Sequence, residues 1–162
     1  QHQLAYACLS PRTDADLLDD LCQKIGYQKV VFHSVDANNQ DIYHTNVMMA
    51  LGETFVVICL DSVRDAGERV MLERKFRETG EEIVDISLDQ MNAFAGNMLQ
   101  VRSLAGQVIL VMSSTAYHAL SPEQIAQLER HTQILHSPID TIENFGGGSA
   151  RCMMAEIFLP AQ

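Results

Sequence analysis

Asn46-Val-Met-Met-Ala50, a glycine and Phe55-Val-Val-Ile-Cys59 are matched roughly fifty residues further on by Asn97-Met-Leu-Gln-Val101, a glycine and Val108-Ile-Leu-Val-Met112. Each stretch predicts two apolar strands joined by a tight turn, and each is followed by an amphipathic helix and another strand. A repeat of this length with strand–strand–helix–strand content indicates an α/β propeller-like or solenoid array. A doubly wound sheet is the alternative. It accounts for the alternation of strands and helices but not for the matched hairpins.

Three predicted units lie at about residues 4–36, 43–90 and 94–160 of a single domain that spans 1–162. The first unit is a strand over 4–9, a helix and a strand over 27–35. Thr13 is the predicted helix cap, with Asp16 as a weak capping box, and Gly26 ends the helix. Helical spacing of apolar residues predicts an inner face that consists of Leu17, Leu18, Leu21, Cys22 and Ile25.

The second and third units each begin with one of the matched hairpins. The second pairs 46–51 with 55–60 around Gly52, and continues with a helix over 65–78 that Gly80 ends and a strand over 82–88. The third pairs 97–101 with 107–112 around Gly106. Its helix begins at Ser121-Pro122, a cap followed by proline at the first helical position. Strands over 134–142 and 153–159 complete it.

Composition excludes several classes of partner. The formal net charge is -10, with 11 basic residues scattered among 21 acidic ones, which argues against nucleic acid. No apolar run approaches the ~20 residues of a membrane span, and no signal-peptide pattern opens the chain. We expect a cytoplasmic protein. Its first residue is Gln, so we expect its natural start to have been removed or to lie upstream.

The four cysteines indicate no metal site. Cys8 and Cys59 lie inside apolar runs and Cys22 lies on the predicted inner face of the first helix, so all three are expected to be buried. No pair has C-x-x-C spacing and none is flanked by histidine at metal-ligand distances, which disfavours zinc.

Cys152 is different, because it follows Gly146-Gly-Gly-Ser-Ala-Arg151. Glycines let the backbone approach a ligand closely, and a thiol that projects from a strand edge beyond them is suited to nucleophilic attack. A glycine-rich turn with an incidental buried cysteine has the same pattern.

His44 and Asn46 open the first hairpin. Strand alternation predicts that they share a face, as a catalytic base and its polar partner would. A solvated histidine at a strand start is the alternative. Asn97 holds the equivalent place in the second hairpin, so the two asparagines are expected to line one site, unless Asn97 serves only the turn.

Arg12 follows the end of the first strand, where loops of α/β units bind ligands, and its guanidinium is suited to a substrate carboxylate. An exposed turn arginine is the alternative.

Four segments together resemble the guanidino-group-modifying superfamily, which contains arginine deiminases, amidinotransferases and dimethylarginine hydrolases. The resemblance is closest to the branch that includes citrulline hydrolases. The segments are Ala7-Cys-Leu-Ser-Pro-Arg-Thr13, Tyr43-His-Thr-Asn-Val-Met-Met49, Phe94-Ala-Gly-Asn-Met-Leu99 and Gly146-Gly-Gly-Ser-Ala-Arg-Cys-Met153.

The resemblance implies a five-unit propeller of ββαβ units, of which this chain holds about three as the C-terminal part. It implies Cys152 as nucleophile, His44 as acid/base and Arg12 as a carboxylate contact. The family's H-x-D motif has asparagine here, at Asn46. Loss of that carboxylate favours a neutral ureido group over a cationic guanidinium.

The predicted function is hydrolysis or amidino transfer at a guanidino or ureido C–N bond of an arginine- or citrulline-like small molecule, through a covalent cysteine intermediate. Backbone N–H groups of Gly147 and Gly148, with Asn97, are expected to position the reacting group. No metal or organic cofactor is required. The alternative is a catalytically inactive piece that serves as an assembly or small-molecule binding module, with missing N-terminal units or a second copy as its partner.

Overall fold

The computed structural model describes residues 2–156 and contains three small sheets in chain order. In the first, β1 (Leu4–Leu9) pairs in parallel with β2 (Gln28–His33), and α1 (Ala15–Ile25) connects them. Gly26 ends α1 in the left-handed conformation (φ 72°), as predicted. The predicted cap is wrong by one residue: Asp14, not Thr13, accepts the N–H groups of Asp16 and Leu17 because its side chain reaches them from an extended backbone.

The second and third sheets repeat one topology. In each, a central strand pairs antiparallel with the strand before it and parallel with the strand after it. The elements of the second are α2 (Thr45–Met48), β3 (Met49–Leu51), β4 (Phe55–Ile58), α3 (Ala66–Thr79) and β5 (Glu82–Asp85). The elements of the third are α4 (Leu88–Asn92), β6 (Leu99–Arg102), β7 (Val108–Ser113), α5 (Ser114–Ala119), α6 (Pro122–Glu129), β8 (Gln133–Ser137) and α7 (Asp140–Gly146). The predicted repeat is thus present in the strand pairing itself.

Several predicted strands are too long at their ends. Residues 45–48 form a helical turn rather than the start of a strand, and the Thr45 hydroxyl accepts a hydrogen bond from the backbone N–H of Cys8. The predicted strand over 82–88 ends at Asp85, and Ser87 caps α4 with a capping box.

The last predicted strands are also corrected. The strand over 134–142 ends at Ser137, since Pro138 cannot donate to the ladder, and α7 follows. Of the predicted strand over 153–159, Met153 ends a 3₁₀ turn and residues 154–156 are not extended in a sheet; residues 157–159 lie outside the described part of the chain.

The core is centred on the second sheet. Every residue of β4 is fully buried, and Leu72 and Phe76 of α3 cover it. Cys8, Cys22 and Cys59 are buried, as predicted.

The predicted inner face of α1 is largely wrong. Leu17, Leu21 and Ile25 remain 71%, 51% and 48% exposed, and Cys22 is the buried residue of the helix. Helical periodicity identified an apolar stripe, but the described residues place nothing over it.

His131 ties the second unit to the third. Its Nδ1 hydrogen-bonds the Thr54 hydroxyl at 2.8 Å, and its Nε2 hydrogen-bonds the Glu82 carboxylate at 2.7 Å. The hydrogen bond from His131, with those from Gln127 and Arg130, holds the pKa of Glu82 below its usual range.

Among residues 2–156, no helix is long and apolar enough to cross a bilayer.

Candidate active site

Cys152 lies in a 3₁₀ turn (Ala150–Met153) that follows the glycine-rich loop, and it is the exposed thiol of the four. The prediction that it projects from a strand edge is wrong, because α7 precedes the loop and a 3₁₀ turn follows it. The turn is closed by the backbone N–H of Cys152, which donates to the carbonyl of Ser149 at 3.0 Å. The thiol is therefore presented by a short turn rather than by a sheet.

Asn97 brings the second and third units together at this thiol. Its side chain is buried, with 4% exposed. Nδ2 donates to the Asn46 carbonyl at 2.9 Å and lies 3.2 Å from Cys152 Sγ. The two predicted asparagines and the predicted nucleophile therefore meet, although Asn46 takes part through its backbone.

The glycine before Asn97 makes this junction possible. A Cβ atom on Gly96 would lie 2.3 Å from the Val47 carbonyl oxygen and 3.0 Å from backbone atoms of Met48. Only a residue without a side chain allows the loop to approach α2 so closely.

His44 precedes α2 as its N-terminal flanking residue, and its side chain is exposed. Since 45–48 is helical, the expected shared strand face of His44 and Asn46 is wrong: residues two apart on a helix do not face the same way. Within residues 2–156 no hydrogen bond joins His44 to Cys152. Catalytic hydrogen bonds often form only once substrate is bound, so this geometry leaves the candidate open.

Arg12 stands on the same side as His44. Its guanidinium lies 5.3 Å from the centroid of the Tyr43 ring, and that ring is 4.9 Å from the His44 imidazole. The Ser10 hydroxyl donates to the Tyr43 carbonyl and links the end of β1 to this segment. The Tyr43 ring thus lies between Arg12 and His44, and among the described residues no hydrogen bond joins Arg12 to Cys152.

Gly147 and Gly148 shape the loop before the thiol. Gly147 ends α7 with φ 70°, a conformation that favours glycine. A Cβ atom on Gly148 would lie 3.0 Å from both Cβ and Sγ of Cys152. A side chain at position 148 would therefore press on the nucleophile.

A cavity of about 260 Å³ opens beside this junction. Thr45, Asn46 and Arg151 supply its polar wall, and Tyr6 and Met98 belong to its remaining wall. A larger cavity of about 510 Å³ lies around Tyr27, Gly52 and Arg102. Of the predicted site residues, Asn46 lines the smaller cavity and none lines the larger one; neither Cys152 nor His44 belongs to either wall.

Sequence reasoning missed two buried polar residues beneath the loop, Glu143 and Ser149. The Ser149 hydroxyl donates to Glu143 at 2.6 Å. Because residues 134–142 were predicted to be a strand, α7 was not predicted, and Glu143 is the residue that this helix buries. The proline at 138 and the helical spacing of Ile139, Ile142 and Glu143 are the signals that point to it.

Known proteins resemble the chain in sequence pattern and in fold. The sequence profile of the eukaryotic N,N dimethylarginine dimethylhydrolase family matches residues 1–159. A search of curated proteins produced no match.

Solved structures share the fold at low sequence identity. ArgZ, an arginine dihydrolase from the ornithine–ammonia cycle in cyanobacteria, superposes with a TM-score of 0.69 at 17% identity over 91% of this chain and 21% of its own. A variant of the N-terminal domain of ArgZ, covalently bonded to a reaction intermediate, superposes with a TM-score of 0.67 at 18% identity over 91% of this chain and 49% of its own. Unliganded AgrE superposes with a TM-score of 0.70 at 19% identity over 91% of this chain and 20% of its own.

The chain spans between a fifth and a half of the length of these structures. Their likeness identifies the three units as part of an α/β propeller of the pentein type, which is the predicted fold class. The finer placement near citrulline hydrolases stays a prediction. On the match over residues 1–159, the chain belongs to the N,N dimethylarginine dimethylhydrolase family of the guanidino-group-modifying superfamily.

Proposed function

We propose that this chain supplies the nucleophile, Cys152, and the acid/base, His44, of a hydrolase that cleaves a guanidino or ureido C–N bond in an arginine- or citrulline-like small molecule. One observation carries the proposal: Cys152, whose thiol is the exposed one of the four cysteines, lies 3.2 Å from the buried amide of Asn97, and its neighbour Arg151 lines a cavity together with Asn46. The names of the family and of ArgZ favour hydrolysis over amidino transfer.

The reaction proceeds in two steps. The Cys152 thiolate attacks the central carbon of the planar group, the C–N bond to the departing amine breaks, and His44 protonates that amine. His44 then takes a proton from water, which attacks the S-bound carbon and regenerates the thiolate. In ArgZ a covalent intermediate is described, which supports the first step by likeness.

The remaining predicted residues bind and orient the substrate. Backbone N–H groups of Gly147 and Gly148 face the reacting group, where preorganised donors stabilise developing charge. Arg12, next to His44 through Tyr43, holds the substrate carboxylate. Asn46 offers no negative charge to a guanidinium, so we favour a ureido substrate. Four free thiols suit a reducing compartment, and we place the protein in the cytoplasm.

The covalent intermediate provides the direct test. The intact protein is incubated separately with arginine, citrulline and dimethylarginine, quenched in acid and examined by intact mass and peptide mapping. We expect an adduct on the peptide that contains Cys152, with released amine in solution. Release of the amine without any cysteine adduct, or no release from any of the three, would overturn the proposal.

We further propose that residues 1–162 form one domain, the C-terminal part of a longer propeller, with units at about 4–36, 43–90 and 94–160. The first sheet supports this, because it has two strands where the others have three. β1 corresponds to β4 and β7, each of which pairs antiparallel with the strand before it. Among the described residues β1 pairs only with β2, so the edge where that antiparallel strand would lie is open. The alternative function, an inactive assembly or binding module, would use the same open edge to bind its partner.

Hydrogen exchange tests the open edge. Gln28 donates to the Gln3 carbonyl, while the Cys8 N–H points away from β2 to Thr45. By strand alternation Ala5 and Ala7 face β2 and Tyr6 faces the open edge. We expect the amide of Tyr6 to exchange rapidly in the 162-residue chain and slowly in the longer protein, and those of Ala5 and Ala7 to be protected in both. Equal exchange at Tyr6 in the two proteins would contradict a strand at this edge.

A further inference from the structure

Glu143 is a buried carboxylate under the nucleophile loop. It is 6% exposed, on α7, and both of its oxygens accept hydrogen bonds. Thr115 Oγ1 donates to Oε2 and Ser149 Oγ donates to Oε1, each at 2.6 Å. Both distances lie at the short end of the range for O–H···O hydrogen bonds. Within residues 2–156, no lysine, arginine or histidine pairs with it.

A buried carboxyl group without a cationic partner is costly to remove from water. If this position only needed to fill space, an apolar side chain would be more stable there. A buried carboxylate instead fixes the direction of a hydroxyl group that donates to it. Glu143 is held by α7 itself, and Ser149, which donates to it, lies on the loop.

Ser149 transmits this constraint to Cys152. Its side chain is fully buried, and its carbonyl accepts the backbone N–H of Cys152 at 3.0 Å. The three residues before it are glycines, which have the largest backbone freedom of any residue. Without an anchor at Ser149, the loop has many conformations in which the thiol does not meet Asn97.

We infer that Glu143 and Ser149 form a positioning clamp that holds the glycine-rich loop so that the Cys152 thiol stays beside Asn97 and aligned with the substrate. Neither residue touches the reacting atoms, and both act through the turn that carries Cys152. This inference rests on the proposed role of Cys152 as nucleophile.

The chain offers a matched control. Ser149→Ala and Glu143→Gln weaken the bond between the carboxylate and the loop. Thr115→Val removes a hydrogen bond from the other oxygen of the same carboxylate and leaves the Ser149 bond in place. A role in stability alone would be disturbed by all three variants, whereas positioning is disturbed by the first two.

The measurements use the intact protein. Cys152 is alkylated with 2-chloroacetamidine and 2-chloroacetamide, which resemble a planar guanidino and a planar ureido group, and with methyl methanethiosulfonate, which resembles neither. Each rate constant is divided by its value for free cysteine, and the ratio of the larger of the first two to the third is compared with kcat and KM. Since a displacement of about 1 Å costs roughly 100-fold in rate, we expect Ser149→Ala and Glu143→Gln to lower kcat by tens-fold or more at nearly constant KM, and to lower the ratio at least tenfold. Thr115→Val should change kcat and the ratio less than threefold, even if it lowers the melting temperature.

Two results would overturn the clamp. One is a ratio of alkylation rate constants that is the same in Ser149→Ala and Glu143→Gln as in the wild type. The other is a loss of that ratio and of kcat in Thr115→Val as large as in those two variants. If the wild-type protein shows no turnover, the proposed function fails, but the reagent ratio still tests the clamp. If the wild-type thiol prefers neither 2-chloroacetamidine nor 2-chloroacetamide over the third reagent on that scale, the clamp is refuted as well.

Discussion

Replacement of Cys152 by alanine in the intact protein is expected to lower kcat roughly 10⁴-fold or more, the scale on which loss of a covalent nucleophile acts. No other described cysteine can substitute for it, because Cys8, Cys22 and Cys59 are buried. His44→Gln should follow with a loss of roughly 10²–10⁴-fold, the usual contribution of a general acid/base. Steady-state release of the amine product measures both.

Cys22→Ala is the matched control, since it removes a thiol that is buried in α1 and whose side chain hydrogen-bonds none of the described candidate site residues. We expect it to retain activity within a fewfold. Turnover by Cys152→Ala above a tenth of the wild-type rate would remove the nucleophile from the mechanism. A His44→Gln variant with full activity would leave Cys152 in place and require a different acid/base.

Gly96→Ala is expected to destabilise the protein by about 3 kcal/mol, the upper end of the cost of over-packing. The new methyl group would lie 2.3 Å from a backbone oxygen, and backbone cannot rotate out of the way as a flexible side chain can. Relief of the clash requires the loop at 96 to move away from α2. That movement carries Asn97 off the Asn46 carbonyl and off the thiol, so kcat should fall together with stability.

Gly146→Ala separates the clash from the general effect of adding a methyl group. Its Cβ would meet a side-chain carbon at 3.5 Å, an ordinary contact, and it lies within α7. We expect its thermal unfolding midpoint to be close to the wild-type value or above it. If Gly96→Ala unfolds at the same temperature as Gly146→Ala, the close approach of the second and third units is not required for stability.

Strand cores and turn glycines were predictable from the sequence, because they depend on neighbours along the chain. Apolar runs placed β1, β4 and β7, and Gly26, Gly80 and Gly106 were expected at turns where the structure shows positive φ. Element ends were less predictable. Residues 45–48 have a strand-like pattern, but they form a helical turn, and the Thr45 hydroxyl there bonds the backbone of β1, thirty-seven positions away.

The candidate site was likewise only partly predictable from the sequence. The glycine-rich stretch indicated Cys152, and the matched hairpins indicated that Asn46 and Asn97 belong together. The roles of the asparagines were not apparent, since Asn46 contributes its carbonyl and Asn97 its amide. Glu143 was hidden because its importance depends on Thr115 and Ser149, which come from two other segments.

By itself the amino-acid sequence determined the repeat, the class of fold and the cysteine that is the candidate nucleophile, since periodicity, turn residues and a glycine-rich motif are local patterns. Tertiary structure alone decided which atoms meet: the amide of Asn97 with the thiol of Cys152, the glycine at 96 with the backbone of α2, and two hydroxyls with one buried carboxylate. The reason is physical. Hydrogen bonds and steric clashes depend on distances of a few tenths of an ångström between segments far apart in the chain, and no local pattern contains those distances.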